Sequence, residues 1–245
     1  MRLVSLMLAV GLGLAACAQT PPQTPAVSSV GSGPYGARTD SGPNGEPIEI
    51  QAVRKAYLTD RNTRQTVAYN GTEAPGTIVV DPYARFLYLV KEGGQAERFG
   101  VAVGKAGKTF QGNATIRRKQ AWPSWTPTAN MVRTQPELYG PLKNGLGGGI
   151  NNPLGSRALY LYQGSRDTMY RIHGTMDPSS IGKATSAGCI RLFNQDIMDL
   201  FDQIPMGTPV RVRTQSESIA LEGPLVETPD GYMTSVAPDA VASAQ

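Results

Sequence analysis

Met169-Tyr170-Arg171-Ile172-His173-Gly174-Thr175 and, ten residues later, Ser186-Ala187-Gly188-Cys189-Ile190-Arg191 decide how the rest of this 245-residue chain is read. The first run is short, aromatic and β-branched, and glycine stops it, which predicts a strand from Met169 that ends at His173. In the second, Gly188 leaves the backbone before Cys189 open to close approach. His173 is the chain's sole histidine. A thiol is a useful nucleophile only as thiolate, and a nearby imidazole supplies that form by taking its proton. The amide N–H of Cys189, with that of Gly188, has the chemistry of an oxyanion hole. Spacing alone weighs a Cys–His pair equally against a buried inert cysteine beside an incidental histidine, because free cysteine is among the most buried residue types.

Outward from these runs the same strand pattern recurs. Short β-branched or aromatic segments bounded by Gly, Pro, Asp or Asn predict strands at Thr77 to Val80, Phe86 to Lys91, Glu97 to Val103, Thr115 to Arg118, Ala158 to Tyr162 and Val210 to Arg213. One amphipathic helix is predicted with Asn194 as cap, running through Ile197, Leu200, Phe201 and Ile204 and ended by Pro205 and Gly207. Glycine and proline number 28 and 19, and each is unfavourable in helix interiors, by about 1 and 3 kcal/mol respectively. Coiled coils and helical bundles are therefore excluded, while 40% hydrophobic residues still supply a core. The expectation is a mainly β domain at residues 76–213, preceded by an N-terminal arm at 48–75.

The termini read differently. Arg2, the apolar run Leu3 to Leu14 and then Leu14-Ala15-Ala16-Cys17 have the order of an export signal, too short for a spanning helix, which takes roughly 20 apolar residues. Residues 1–16 are expected to be removed, because Leu14 to Cys17 resembles the lipobox of bacterial lipoproteins, in which the cysteine is acylated; an ordinary secretory signal is the other reading. Ala18 after that cysteine favours, by the same resemblance, the outer membrane, which places the protein in the periplasm. If Cys17 is acylated, Cys189 is the one remaining thiol. Residues 17–47, with six Pro and five Gly from Ala18 to Pro47, are expected to be a disordered tether. Residues 214–245 hold five acidic and no basic residues and read as a disordered acidic tail. Between Cys17 and Arg213 there are 22 basic and 14 acidic residues, a body suited to an anionic partner such as cell-wall polymer or lipid headgroups.

Two chemistries are disfavoured. One histidine and two cysteines are too few for a His- or Cys-rich zinc site, which needs about three or four such ligands. Ala102 to Thr109 nearly spells a phosphate-binding loop, but its first glycine is Ala102 and a turn and strand follow where a helix is required. No cofactor, metal or nucleic-acid partner is expected. Trp122 and Trp125 suit either a flap that stacks on substrate or core packing, and Gly145 to Gly149 reads as a mobile connection.

With these residues in hand, the sequence resembles the L,D-transpeptidase (YkuD-type) family. The likeness runs from Pro75-Gly76-Thr77-Ile78 through Asn152-Pro153-Leu154-Gly155, His173-Gly174-Thr175 and Ser186 to Arg191, to Gly207-Thr208-Pro209-Val210. It implies an L,D-transpeptidase-type β-sandwich with one or two short helices and a flap. It also implies an acyltransferase that attacks a peptidoglycan stem peptide with Cys189, uses His173 as general base and Gly188 at the catalytic centre, and binds substrate through Arg191, Ser186 and Gly174. The cleaved bond would be diaminopimelate-D-Ala of a tetrapeptide stem, with transfer to an amine, forming cross-links or anchoring an envelope lipoprotein. Water as acceptor would make the enzyme an L,D-carboxypeptidase. Carbapenems are the implied covalent inhibitors. Many members carry histidine where this chain has Ala187, so proton transfer falls to His173. A peptidase of the NlpC type, in which cysteine precedes histidine, matches poorly, and a non-catalytic wall-binding module is the rival outside enzymes.

Overall fold

The computed structural model describes residues 28–30, 33–104, 110–185 and 188–236. The signal segment 1–16, Cys17, Ser186 and Ala187 lie outside them. An N-terminal sheet comprises β1 (Ser28–Val30), β2 (Ala37–Ser41) and β3 (Pro47–Ile50). The main sheet follows with β4 (Gln65–Ala68), β5 (Ile78–Asp81), β6 (Phe86–Lys91), β7 (Gln95–Gly100), β8 (Ala102–Gly104) and β9 (Gly112–Ala121). Two short helices, α1 (Ala129–Thr134) and α2 (Pro136–Tyr139), lie in the excursion between β9 and β10 (Arg157–Gln163). Then come β11 (Arg166–His173), β12 (Ala184–Thr185), β13 (Ile190–Arg191), α3 (Asn194–Gln203), β14 (Pro209–Val212), α4 (Gln215–Glu222) and a closing hairpin of β15 (Leu225–Glu227) and β16 (Met233–Ser235).

The main sheet has the order β12-β8-β13-β11-β10-β9-β14-β5-β6-β7-β4. Its inner face forms one apolar cluster to which Leu87 and Leu89 of β6, Ile190 of β13, and Ile197 and Leu200 of α3 all contribute. Strands from opposite halves of the order share this cluster, so the sheet curls over its own core. The mainly β expectation holds. The run predicted from Glu97 to Val103 is interrupted at Val101, whose N–H donates to Arg85 O (3.0 Å) outside the ladder. Residues after the loop that resembled a phosphate site form β9, a strand.

Both terminal expectations need correction. Disorder through residue 47 does not describe residues 33–47, because β2 pairs with β3 and polar side chains bolt this hairpin to the body. Arg38 grips Asp199 of α3 with two hydrogen bonds (2.5 and 3.0 Å). Asp40 accepts from Arg157 (2.6 Å) and from the Trp122 indole (2.9 Å). The acidic tail is likewise ordered as far as residue 236: Thr214 and Glu217 form a reciprocal capping box on α4, Glu222 accepts from Arg213 (2.8 Å) and Tyr88 (2.7 Å), and Glu227 pairs with Arg85 (2.8 Å). Leu225 packs on Phe86, Tyr88 and Val90 on the outer face of the sheet. Those acids are charge partners for buried arginines.

Beneath the N-terminal arm, Asp196 is fully buried. Tyr35 OH donates to its Oδ2 (3.3 Å), Arg64 Nε stands 3.9 Å from its Oδ1, and Arg38 and Asp199 lie nearby. Burial, only partly offset by Arg64, pushes its carboxyl up to about 7. The native state therefore keeps this proton at pH values where the unfolded chain, titrating near 3.9, has lost it. Its contribution is fully present below about 3.9 and is lost as pH rises through 7. Asp196→Asn should remove that slope, gaining on wild type by about 1.4 kcal/mol for each unit the native pKa is raised. Urea midpoints of both proteins at pH 4.5 and 8 check this, and parallel pH dependences would contradict it.

Candidate active site

His173 closes β11 between two neighbours, opposite Ala158 of β10 and Arg191 of β13. It is only 3% exposed. The parallel register Ile172↔Ile190 and His173↔Arg191 brings Cys189, in the turn just before β13, beside the end of β11, where the Arg171 backbone N–H acts on its thiol. Among the described residues, no hydrogen bond joins the side chains of Cys189 and His173 directly.

The imidazole is held from behind. Its Nδ1 lies 2.6 Å from Gly174 O; a carbonyl only accepts, so Nδ1 carries the proton and Nε2 is the basic nitrogen. The Leu154 carbonyl acts on the ring in the same sense. Leu154 is itself set by Asn152, whose Oδ1 accepts from Leu154 N (2.9 Å) while its Nδ2 donates to Gly147 O (2.9 Å). Burial above all, with the charge of Arg191, drives the His173 pKa down to about 3. The ring is neutral throughout the physiological range.

Cys189 is a free, half-buried thiol. It borders a small apolar pocket lined by Val80, Val103, Phe110, Tyr170 and Val212. Burial raises its pKa, opposed by the Arg171 backbone N–H and by the charges of Arg171 and Arg191. Asp167 clamps the Arg171 guanidinium with two bonds (2.7 and 2.8 Å), so this positive charge is fixed in place. With thiol raised and imidazole lowered, the resting pair is uncharged on both sides.

The structure thus brings Cys189, His173, Gly188 and Arg191 together on β11, β13 and the turn before β13. Arg191 is half-buried and its Nε has no hydrogen-bond partner. Gly174 is buried and presents its carbonyl to His173. Trp122 is core: it is 3% exposed among Ile50 and Met198. Trp125 is half-buried against Tyr139 and bridges Leu146. Asn194 is not the helix cap; Phe193 occupies that position without a side-chain bond. The Asn194 carboxamide instead turns toward the histidine loop, accepting from Ser156 N (3.0 Å) and Thr175 N (3.2 Å) and donating to Thr175 O (2.8 Å). Sequence reasoning missed this because asparagine at a helix start has an ordinary local explanation.

Comparison with known proteins gives consistent relatives. A stretch of 162 residues is 35% identical to the probable L,D-transpeptidase ErfK/SrfK of Escherichia coli, covering 65% of this chain and 49% of that protein. Over 179 residues it is 33% identical to the probable L,D-transpeptidase YbiS of the same organism, covering 68% of this chain and 57% of that protein. The chain thus spans about half the length of these relatives. A solved structure from Brucella melitensis, described as a probable carnitine operon oxidoreductase, is 51% identical over 63% of this chain and 96% of its own, with a TM-score of 0.45. Residues 75–212, more than half of the chain, match the model of the YkuD L,D-transpeptidase catalytic domain, and the chain belongs to that family of acyltransferases.

Proposed function

We propose that the protein is a peptidoglycan L,D-transpeptidase in which Cys189 is the nucleophile and His173 the general base. The observation that carries the reading is the fixed tautomer of a buried imidazole, with Nδ1–H on Gly174 O, beside the turn that bears the free thiol. Cys189 Sγ bonds to the carbonyl carbon between the L-centre of diaminopimelate and the terminal D-Ala of a tetrapeptide stem. Because both partners rest uncharged, the thiol proton moves to His173 Nε2 only as that bond forms. The Arg171 backbone N–H and the charges of Arg171 and Arg191 favour the developing sulfur anion. His173 returns the proton to the D-Ala amine, which leaves, and a thioester remains. An amine of a second stem attacks the thioester carbonyl, and its surplus proton passes to His173 and on to Cys189 Sγ as the C–S bond breaks, which leaves a stem-to-stem cross-link and restores the thiol. A lysine amine of an envelope protein would anchor that protein, and water would release a tripeptide. Muropeptide analysis after incubation with purified protein distinguishes these acceptors.

The same reading gives Arg191 the carboxylate of the stem as partner, and Ser186 a neighbouring place at the substrate. We further place the mature protein in the periplasm, held to the outer membrane by acyl chains on Cys17.

Cys189→Ala should abolish D-Ala release and thioester formation with the fold intact, since it deletes the covalent route and little packing. Turnover within about tenfold of wild type, roughly 1.4 kcal/mol in barrier, would overturn the assignment. Carbapenems, whose strained lactam carbonyl offers the same tetrahedral path, should acylate Cys189 at a rate that climbs with pH in a single limb. The imidazole is neutral well above about 3 and the thiol ionises above its ordinary value, so no histidine limb falls between pH 5 and 8. His173→Ala should slow acylation sharply at neutral pH and recover in part in alkali. Intact-mass rates against pH test this; equal rates for both proteins near pH 7 would exclude His173 as the base. Replacing Cys17 should free the protein from the membrane fraction, since each buried CH₂ of an acyl chain contributes about 0.8 kcal/mol. An unacylated wild-type N-terminus in mass spectra would contradict the anchor.

A further inference from the structure

We propose that Asn194 is the positioning residue for His173, acting through the one peptide group that joins Gly174 to Thr175. The inference rests on the reading of His173 as the base. The carbonyl of that peptide group accepts the His173 Nδ1 proton, and its N–H, from Thr175, donates to Asn194 Oδ1 (3.2 Å). In a trans peptide these two groups point from opposite edges of one plane, and no described peptide bond is cis. Imidazole, peptide and carboxamide therefore form a chain of hydrogen bonds in one direction. Each bond polarises the next, so the pull of Asn194 on the N–H end makes the Gly174 oxygen a better acceptor for the ring proton.

The rest of the Asn194 side chain fixes this arrangement. Its oxygen takes a second N–H, from Ser156 (3.0 Å), two residues beyond the Leu154 carbonyl that also draws on the ring. Its nitrogen donates to Thr175 O (2.8 Å), so turning the amide over would face NH₂ toward two N–H groups and oxygen toward oxygen. Gly155 and Gly174 flank the carboxamide, and a β-carbon on either would overlap Asn194 Oδ1. Asn194 is itself buried in the first turn of α3, whose preceding residue Phe193 is fully buried. A rigid helix start thus dictates which nitrogen of a histidine 21 positions earlier in the chain keeps its proton.

A chain with one histidine allows a direct test. ¹⁵N-histidine labelling gives the spectrum of His173 alone, and the wild type should show a single tautomer protonated on Nδ1. Asn194→Ala should convert this to a tautomer mixture and slow carbapenem acylation at pH 7 at least tenfold. A single unchanged Nδ1–H tautomer in a folded Asn194→Ala protein would overturn the proposal, whatever its activity. Asn194→Asp, at a pH low enough to protonate the new carboxyl, keeps an oxygen acceptor for the Ser156 and Thr175 N–H groups and a donor for Thr175 O and should retain the wild-type tautomer; a mixture in that protonated variant would also overturn it, even if Asn194→Ala does not fold. The spectra need no turnover. Wild-type protein that is never acylated would count against the proposed function, while the tautomer measurement still decides the role of Asn194.

Discussion

Burying an imidazole settles its charge, and the rest of the site follows from that. Water is the cheapest stabiliser of an imidazolium, and His173 has almost none in reach. A neutral ring is chemically ambiguous, because either nitrogen can hold its proton. The Gly174 carbonyl, which takes the Nδ1 proton, and the Asn194 carboxamide behind it are the protein's answer to that ambiguity, while the Leu154 carbonyl, held by the Asn152 turn, also borders the ring. Each lies on a different segment of chain, so the site needs the loop after β9, the end of β11 and the start of α3 in one place. The sheet order supplies this by seating β11 between β10 and β13.

The thiol is governed by the same solvent exclusion with the opposite sign. Desolvation raises its pKa while two arginines and one backbone N–H oppose the rise. Of those opposing groups, the Arg171 guanidinium is anchored by the Asp167 clamp. A site of this kind keeps its thiol protonated at rest and thereby less open to oxidation, since reactivity toward oxidants follows thiolate character.

Much of this was legible in the sequence, and the parts that were not share a cause. β6 runs from Phe86 to Lys91 as its pattern predicts, and the ends of β10 and β11 fall close to their predicted places, because alternating or continuous apolar runs are local signals. His173 and Cys189 were legible as residue types that suit each other. Asn194, Asp40 and Arg38 were not, since their partners lie far along the chain: Arg38 binds Asp199, 161 positions away, and Asp40 binds Arg157, 117 away. Composition counted the glycines and prolines of residues 18–47 as entropy and could not see these anchors. One clue to the tail was present. Val79, Phe86, Tyr88 and Val90 face away from the main core yet are apolar, and a strand apolar on both faces needs a cover on each.

That cover has a consequence for where the domain ends. The match to the family model runs from residue 75 to residue 212, but the packing does not stop there. A chain trimmed to those limits would lose Tyr35, Arg38 and Arg64 from around Asp196 and Asp199. It would also lose Arg213 from Asp81, and Leu225 from the outer face of β6. Asp199 would be left without its cations, and Asp196 without Tyr35 and Arg64, at the back of the helix that begins at Asn194, and an apolar sheet face would meet water. The family model thus marks a shorter segment than the packing does, because contacts among the described residues run on from Tyr35 to Glu227.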